Sequence, residues 1–303
     1  MEKHLELLTG SGIRMTMRAQ GAAAAGVLDR LSFMMALPLT PPTPGSTEML
    51  VIYSPECAPE NPGGKTASES CAGYFIYRQG NQINMVMSPD YAEVEELARV
   101  RLPLMLILML GTINNFFCVM LHGAMLEDSD GRAIIVIASS GVGKSTTAQR
   151  FIAAGGIAHH DDQMLFCWSN DDGEDKFFVH GLPTWSRVFR DGLNREVFPF
   201  SNRREVKNIY VLSRGGENEE IVEIPAAAWH GHLMAAFFEH MIWPGAILSA
   251  NEKIQLAGVV WEIVRKIDRR FRPLSLAAKL DGDLIKTFKN APNQKPIMEK
   301  NET

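Results

Sequence analysis

Between Ile134 and Gly156 the chain reads IIVIASSGVGKSTTAQRFIAAGG, a stretch that carries the residue types needed to hold phosphate. Gly141 and Gly143 let backbone come close or turn tightly. Lys144 adds a cation, and Ser145 and Thr146 add hydroxyls, at the start of a helical pattern. The spacing is that of the phosphate-binding loop G-x-x-x-x-G-K-[ST], with Ala138 where its first glycine is expected. That position lies at a strand exit, where a methyl is tolerated if φ stays negative. Backbone N–H groups and a helix N-terminus do most of such a loop's work. Ser139, Ser140, Gly141, Val142, Gly143, Lys144, Ser145 and Thr146 are therefore the expected nucleotide-binding residues. Lys144 would reach the β/γ-phosphates, and Ser145 would ligate Mg²⁺. A chance Gly/Ser turn capping a helix is the plain alternative; the apolar strand before and the helix after favour the loop.

Two further pieces lie on either side. Downstream, GGIAHHDDQML carries Asp161 and Asp162 just before an apolar strand; upstream, LHG carries His122 and Gly123 on the strand preceding the loop. Taken together, His122-Gly123, ASSGVGKS and Asp161-Asp162 resemble the HPr kinase/phosphorylase-like kinases, relatives of the phosphoenolpyruvate carboxykinases, in order and approximate spacing. The resemblance covers about Phe117 to Val188. It implies that Asp161 is the general base taking the acceptor's proton, that Asp162 and Ser145 are Mg²⁺ ligands, and that His122 tunes the base. Lys144 completes the implied catalytic set, with ATP and Mg²⁺ as cofactors. Physical chemistry is consistent with the division, because adjacent carboxylates repel and one pKa rises while a metal keeps the other ionised. A solvated turn for the aspartates and a core role for His122 are the plain readings. His159 and His160 have no counterpart and read as strand-edge residues.

The resemblance has gaps. Phe178 stands where the family has a metal-binding Glu, His180 where it has an Arg, and the C-terminal glycine-rich phosphorylase signature is missing. These departures point away from phosphorylase activity and from HPr as substrate. They point toward the divergent branch found beside radical-enzyme and peptide-modification genes, to which the ScmC group and lasso-peptide kinases belong. In HGLPTWSR, Thr184, Ser186 and Arg187 either touch substrate or phosphate or merely cap a helix, with Thr184 as N-cap. In VRKIDRRFR, Arg265 with Arg269 and Lys266 with Arg270 are at i,i+4 spacing. They would either grip an acidic leader peptide or form a solvated face.

The elements that must position these residues follow from patterning. Residues 1–114 read as a small α+β domain. HLELL and IRMTMRA form a hairpin, an Ala-rich helix runs from Ala22 to Leu37, and EMLVIY, GYFIYR and INMVM form strands. SPECAPENPGGKTASES reads as a surface loop. A helix that begins polar and becomes buried spans SPDYAEVEELARVRLPLMLILML. Residues 115–288 form the second domain, and residues 289–303 a disordered tail. The fold class expected is α/β with a mixed α+β N-terminal part. Its core would be an HPr kinase/phosphoenolpyruvate carboxykinase-like P-loop core of mixed β-sheet and flanking helices.

Composition narrows the partners. With 46% hydrophobic and 21% charged residues and net charge −5, a general nucleic-acid surface is disfavoured. The uncharged run from Leu102 to Leu121 is broken by Pro103, Gly111 and two Asn, so it reads as a buried helix and no membrane is expected. Cys57, Cys71, Cys118 and Cys167 form no C-x-x-C pair and read as free thiols, with a cytoplasmic location. The expected function is an ATP- and Mg-dependent kinase acting on a Ser/Thr hydroxyl of a peptide or small protein in a peptide-modification pathway. A homo-oligomer is left open. The alternative is a non-catalytic nucleotide-sensing module, which the loss of the Glu at Phe178 favours.

Overall fold

In the computed structural model, residues 1–9, 12–59, 66–71, 74–79, 82–88, 96–114, 117–171, 174–184, 197–214, 218–239, 248–279 and 282–292 are described. Among the described residues, fourteen strands form two mixed sheets, and six α-helices accompany them. The first sheet comprises β1 (Glu2–Leu8), β2 (Arg14–Gln20), β3 (Thr47–Tyr53), β4 (Thr66–Cys71), β5 (Tyr74–Gln79) and β6 (Gln82–Met87), in the order β1-β2-β3-β6-β5-β4. Helix α1 (Ala22–Met35) connects the parallel neighbours β2 and β3. The Pro/Gly/Ser-rich stretch read as a loop contains a short 3₁₀ turn at Pro55–Cys57 and the strand β4. Antiparallel pairing with β5 recruits this polar segment as an edge, a tertiary effect that local composition does not announce.

Helix α2 (Glu96–Ile113) is the apolar run, with Pro103 inside it. Leu104, Leu106, Ile107, Leu108, Met109 and Leu110 are all inaccessible to solvent. A helix that is apolar all round is stable only when covered all round, and full burial stabilises by about 1.5–3 kcal/mol per such side chain. α2 packs against α1, β2 and β3 on one side and the second sheet's β7 on the other. Among the described residues no helix is long and apolar enough to cross a membrane.

The second sheet comprises β7 (Cys118–Glu127), β8 (Ala133–Ile137), β9 (Ile157–His160), β10 (Gln163–Asp171), β11 (Glu174–Gly181), β12 (Arg204–Arg214), β13 (Glu220–Glu223) and β14 (Leu274–Ala278). Its order is β11-β10-β7-β8-β12-β14-β13, with β9 also on β7 and the start of β12 pairing back onto β11. β8 is buried along its whole length between antiparallel β7 and parallel β12. Buried on both faces, it carries the continuous apolar sequence that this position requires. Helix α3 (Lys144–Ala153) covers one face of β7 and β9. Helices α4 (Ala226–Phe238) and α5 (Ala250–Arg270) pack on each other, α4 also lying on β7. α6 (Leu284–Lys289) closes the described chain.

Cys118 and Cys167 are buried opposite each other in register, neither of them in a disulfide, and Cys57 is a free thiol. Arg265 pairs with Glu262 and Lys266 with Asp175, so the basic run of α5 is partly neutralised from within. Ser186, Arg187 and residues 293–303 of the tail lie outside the described residues.

Candidate active site

The loop Ala138–Gly143 runs from the end of β8 to the start of α3. Gly141 (φ 78°) and Gly143 (φ 125°) occupy backbone conformations that side chains resist, whereas Ala138 does not have a positive φ. Ser139, Ser140, Gly141 and Thr146 are exposed, and Val142, Gly143 and Ser145 half-buried. No side chain caps the first N–H groups of α3, and no acidic residue lies in its first turn. Those N–H groups have no intrahelical acceptors, which suits an anion. Lys144 is buried, and its ammonium donates to Ala138 O (2.8 Å) and Ser139 O (3.3 Å). Burial lowers its pKa, while Glu239, Asp162 and Asp161 work the other way. The one cation of the loop thus faces three carboxylates.

Asp161 and Asp162 are the two-residue bend between β9 and β10, which lie end to end along β7. Asp162 is tied on both sides of its peptide unit. Its N–H donates to His160 Nδ1 (3.1 Å), and its carbonyl accepts from Gly123 N–H (2.9 Å). His160, with no accessible surface, donates from Nε2 to Leu182 O (2.5 Å). Its pKa is lowered by burial, which keeps the ring in that one tautomer. His160 is therefore no edge residue: it is the brace of the aspartate bend. Asp161 is buried. Burial raises the pKa of Asp162, with Arg101 the largest opposing influence. The carboxyl so raised is the expected metal ligand.

His122, on β7, joins the same cluster. Nδ1 lies 2.6 Å from Glu239 Oε2, and Nε2 faces Asp162 Oδ1 at 3.6 Å. Burial first, then Lys144 and Arg101, lowers its pKa to about 3, against the pull of Asp161. The ring is neutral, with Nδ1–H donating to Glu239 and the Nε2 lone pair turned toward Asp162.

Arg101 and Glu239 were not singled out by sequence. Arg101, on α2, places Nη2 3.8 Å from Asp162 Oδ2. It is the last charge before Glu127, a signal legible as an isolated cation heading a buried run. Glu239 follows the last turn of α4 in the apolar AAFF-E context, which hinted at a buried acid. Phe178 offers no carboxylate, and the Arg203 guanidinium lies 4.8 Å over its ring. Donors for a cation are correspondingly few: among the described residues no group of three or more His, Cys, Asp or Glu side chains is disposed to hold a metal. Ser145 and Asp162 are the residues that could ligate an ion that keeps waters and phosphate oxygens, as Mg²⁺ does.

A cavity of about 690 Å³ lies elsewhere, lined by Asp128, Arg132, Ile134, Phe151, Lys207 and Phe288 among others. Ile134 is the second residue of β8, so this cavity sits toward the end of that strand opposite the loop.

Thr184 and Gln163 complete the surroundings. Both are fully buried, and Thr184 Oγ1 and both Gln163 amide atoms have no hydrogen-bonding partner among the described residues. Such groups each cost about 1–3 kcal/mol if left unmet.

Among solved structures, an HPr(Ser) kinase/phosphatase from Coxiella burnetii is similar at 14% identity, over 35% of this chain and 70% of that one, with a TM-score of 0.24. No curated protein matches the chain. The family profile of SynChlorMet cassette protein ScmC matches residues 87–290, which include α2, the loop, the aspartate bend and Glu239. Since that match covers more than half of the sequence, the chain belongs to the SynChlorMet cassette protein ScmC family.

Proposed function

We propose that the protein is a P-loop kinase that transfers the γ-phosphoryl group of ATP to a Ser or Thr hydroxyl of a peptide or small protein. The observation that carries this reading is the convergence of Lys144 with Asp161, Asp162 and Glu239 at the mouth of an uncapped helix. Phosphoryl transfer is achieved mostly by positioning and charge stabilisation, and these are the parts it requires. Mg·ATP, when bound, supplies the electrophilic phosphoryl group. The chain's own residues do the rest. The exposed loop backbone and the α3 N-terminus bind phosphate, Lys144 exchanges its loop carbonyls for phosphate oxygens, and Ser145 and Asp162 hold the cation. Asp161 takes the acceptor's proton. His122, oriented by Glu239, stands beside the carboxylate pair, where its free Nε2 can take a proton, and Arg101 balances their charge from α2. On this reading residues 115–288 are the catalytic domain of HPr kinase-like type and residues 1–114 an accessory α+β domain.

A sensor that binds nucleotide without transfer is the second reading, favoured by Phe178 in place of a carboxylate. The two separate with a fluorescent ATP analogue and γ-labelled ATP. Lys144→Ala should weaken nucleotide binding at least about tenfold, roughly 1.4 kcal/mol. Asp161→Asn should retain Mg·ATP while losing roughly 10²–10⁴-fold in transfer to a randomised Ser/Thr peptide pool. Transfer by the wild type no faster than by Asp161→Asn, with tight Mg·ATP binding, would leave the sensor standing. Equal nucleotide affinity of wild type and Lys144→Ala would remove the loop assignment itself.

A further inference from the structure

Four cations and two carboxylates line the cavity of about 690 Å³ at the far end of β8. Both carboxylates are already engaged. Glu127 pairs with His159 Nε2 (2.6 Å) and accepts from Arg204 Nε (3.1 Å), and Asp128 holds Lys207. Arg132 in turn donates to Asp130 (3.0 Å). Arg270, the last residue of α5, and Lys289, the last of α6, are exposed and have no carboxylate partner among the described residues. Two positive charges from separate helices are therefore left over at one cavity, in a chain whose net charge is −5.

Apolar side chains face the same space. Ile134 of β8 and Phe151 of α3 are buried, and Phe288 of α6 meets Phe151 edge-on with ring centroids 5.8 Å apart. Ile157, which opens β9, also lines the cavity and is 49% exposed, so part of this apolar surface is open to a ligand. β12 contributes Val206, Lys207 and Asn208 in succession, although neighbouring residues of a regular strand point to opposite faces. The register of β12 on β8 shifts between Val206 and Asn208, and an irregularity of this kind re-aims side chains. Asn208 is 7% exposed and its Nδ2 donates to Tyr210 Oη (2.7 Å), so a fixed amide belongs to the wall.

We propose that this cavity is a second ligand site that takes a small organic anion, with an apolar body beside Phe151, Ile157 and Phe288 and a carboxylate or phosphate paired with Arg270 and Lys289. Its volume lies within the range of small-molecule sites, and an apolar lining with a few placed polar groups is their usual make-up. An exposed cation ending a helix is favoured by the helix dipole alone. The dipole does not require two of them, from different helices, to converge on one apolar hollow. The site is separate from the phosphate loop. Ile134 and Ala138, where the loop begins, are four residues apart along β8 and its exit, about 13 Å. Lys144 and Phe151 are seven residues apart along α3, about 10 Å. The proposal therefore stands whether or not the loop serves phosphoryl transfer.

The test uses the full chain and the fluorescent aromatic anion 8-anilinonaphthalene-1-sulfonate, displaced by 2-naphthoate, 2-naphthyl phosphate or 2-naphthylmethylamine. At least one of the two anions should displace the dye at a concentration at least about tenfold below that of the amine. Which anion is the better competitor distinguishes a carboxylate ligand from a phosphate. Acetate and inorganic phosphate, which lack the body, should not displace the dye over the same range. Arg270→Gln combined with Lys289→Gln should weaken binding of the dye and of the better anion at least about tenfold, with the thermal midpoint unchanged. Each single substitution reads the same contrast should the double variant melt early. Arg269→Gln, beside Arg270 but outside the lining, and Lys144→Ala, in the loop, should bind the dye as wild type does. The proposal is overturned if the dye finds no saturable site, if the amine competes as well as the anions, or if removing both cations changes nothing. Loss of the dye in Lys144→Ala would overturn it too, by placing the dye in the phosphate loop. So would stronger displacement by acidic peptides carrying one Phe than by either naphthyl anion, which would give the cavity to a peptide.

Discussion

His122 reaches two carboxylates with its two nitrogens, and only one of the contacts is a hydrogen bond. The 2.6 Å partner, Glu239, fixes which nitrogen keeps the proton. Glu239→Gln keeps the shape but allows the ring either tautomer, since an amide can donate as well as accept. The expected outcome is a fall in kcat of roughly 10–100-fold, the range for partners that orient a functional His, with nucleotide affinity much less affected. Steady-state kinetics with Glu239→Gln and Glu239→Asp check it. A merely structural role would lower stability and leave kcat per folded molecule unchanged, and partial rescue by Asp is expected only if the carboxylate itself matters. At this scale the sequence was most legible where chemistry comes as a contiguous motif. Lys144 and the Asp161-Asp162 pair are each readable locally. Glu239 is 117 residues from His122, and no local pattern brings the two together. The same limit hid Arg101 and His160, whose meaning is a contact and not a spacing.

Strand β7 shows how an element serves the site. Gly123 follows His122 and pairs with Ile137, the last residue of β8 before the loop. A Cβ built there would stand 2.9 Å from Val136 O and 3.0 Å from Met164 Cε. The methionine can move, but the carbonyl belongs to the backbone and can yield only if β8 shifts. Gly123→Ala is therefore expected to destabilise the fold by about 1–3 kcal/mol, the range for overpacking. It should weaken nucleotide binding too, because the strand displaced is the one that launches the loop. Urea unfolding and analogue binding measure the two effects. A stable variant with wild-type affinity would show that β8 tolerates the shift. Elements with continuous apolar runs, β7 and β8, and the hairpin β1–β2 follow from pattern alone. β4, β9, β13 and β14 do not, for they are short or polar and owe their extension to neighbours far away in sequence.

At the scale of the whole chain, the boundary drawn from sequence at residues 114/115 falls at the end of α2, a helix that serves both sheets. One continuous apolar cluster includes Met15 and Leu50 of the first sheet, Leu106 of α2, and Leu121 and Phe166 of the second. A second tie is polar. Phe198 and Phe200 donate their N–H groups to Met34 O and Met35 O of α1, while Phe200 O accepts from His180. This chain of contacts makes His180 a reporter of the entire fold. Burial lowers its pKa from 6.5 to about 4, with Arg203 adding to the effect and the Phe200 carbonyl opposing it. The sign follows from linkage. The unfolded chain takes up the proton first as pH falls below 6.5, so stability is full above 6.5, declines toward pH 4 and levels off below it. Between pH 7 and pH 5 the contribution lost is about 2 kcal/mol. His180→Asn, which can still donate to Phe200 O, should show a shallower pH dependence by that amount in urea unfolding. All five Trp residues lie beyond residue 167, so Trp fluorescence follows the second sheet and its helices while far-ultraviolet circular dichroism follows everything. If the shared cluster couples the two sheets, both probes give one coincident transition at each pH, and it moves with His180. Two separated transitions, with only the fluorescence one responding to His180→Asn, would mean that α2 and the α1 carbonyls do not bind the halves into one cooperative unit.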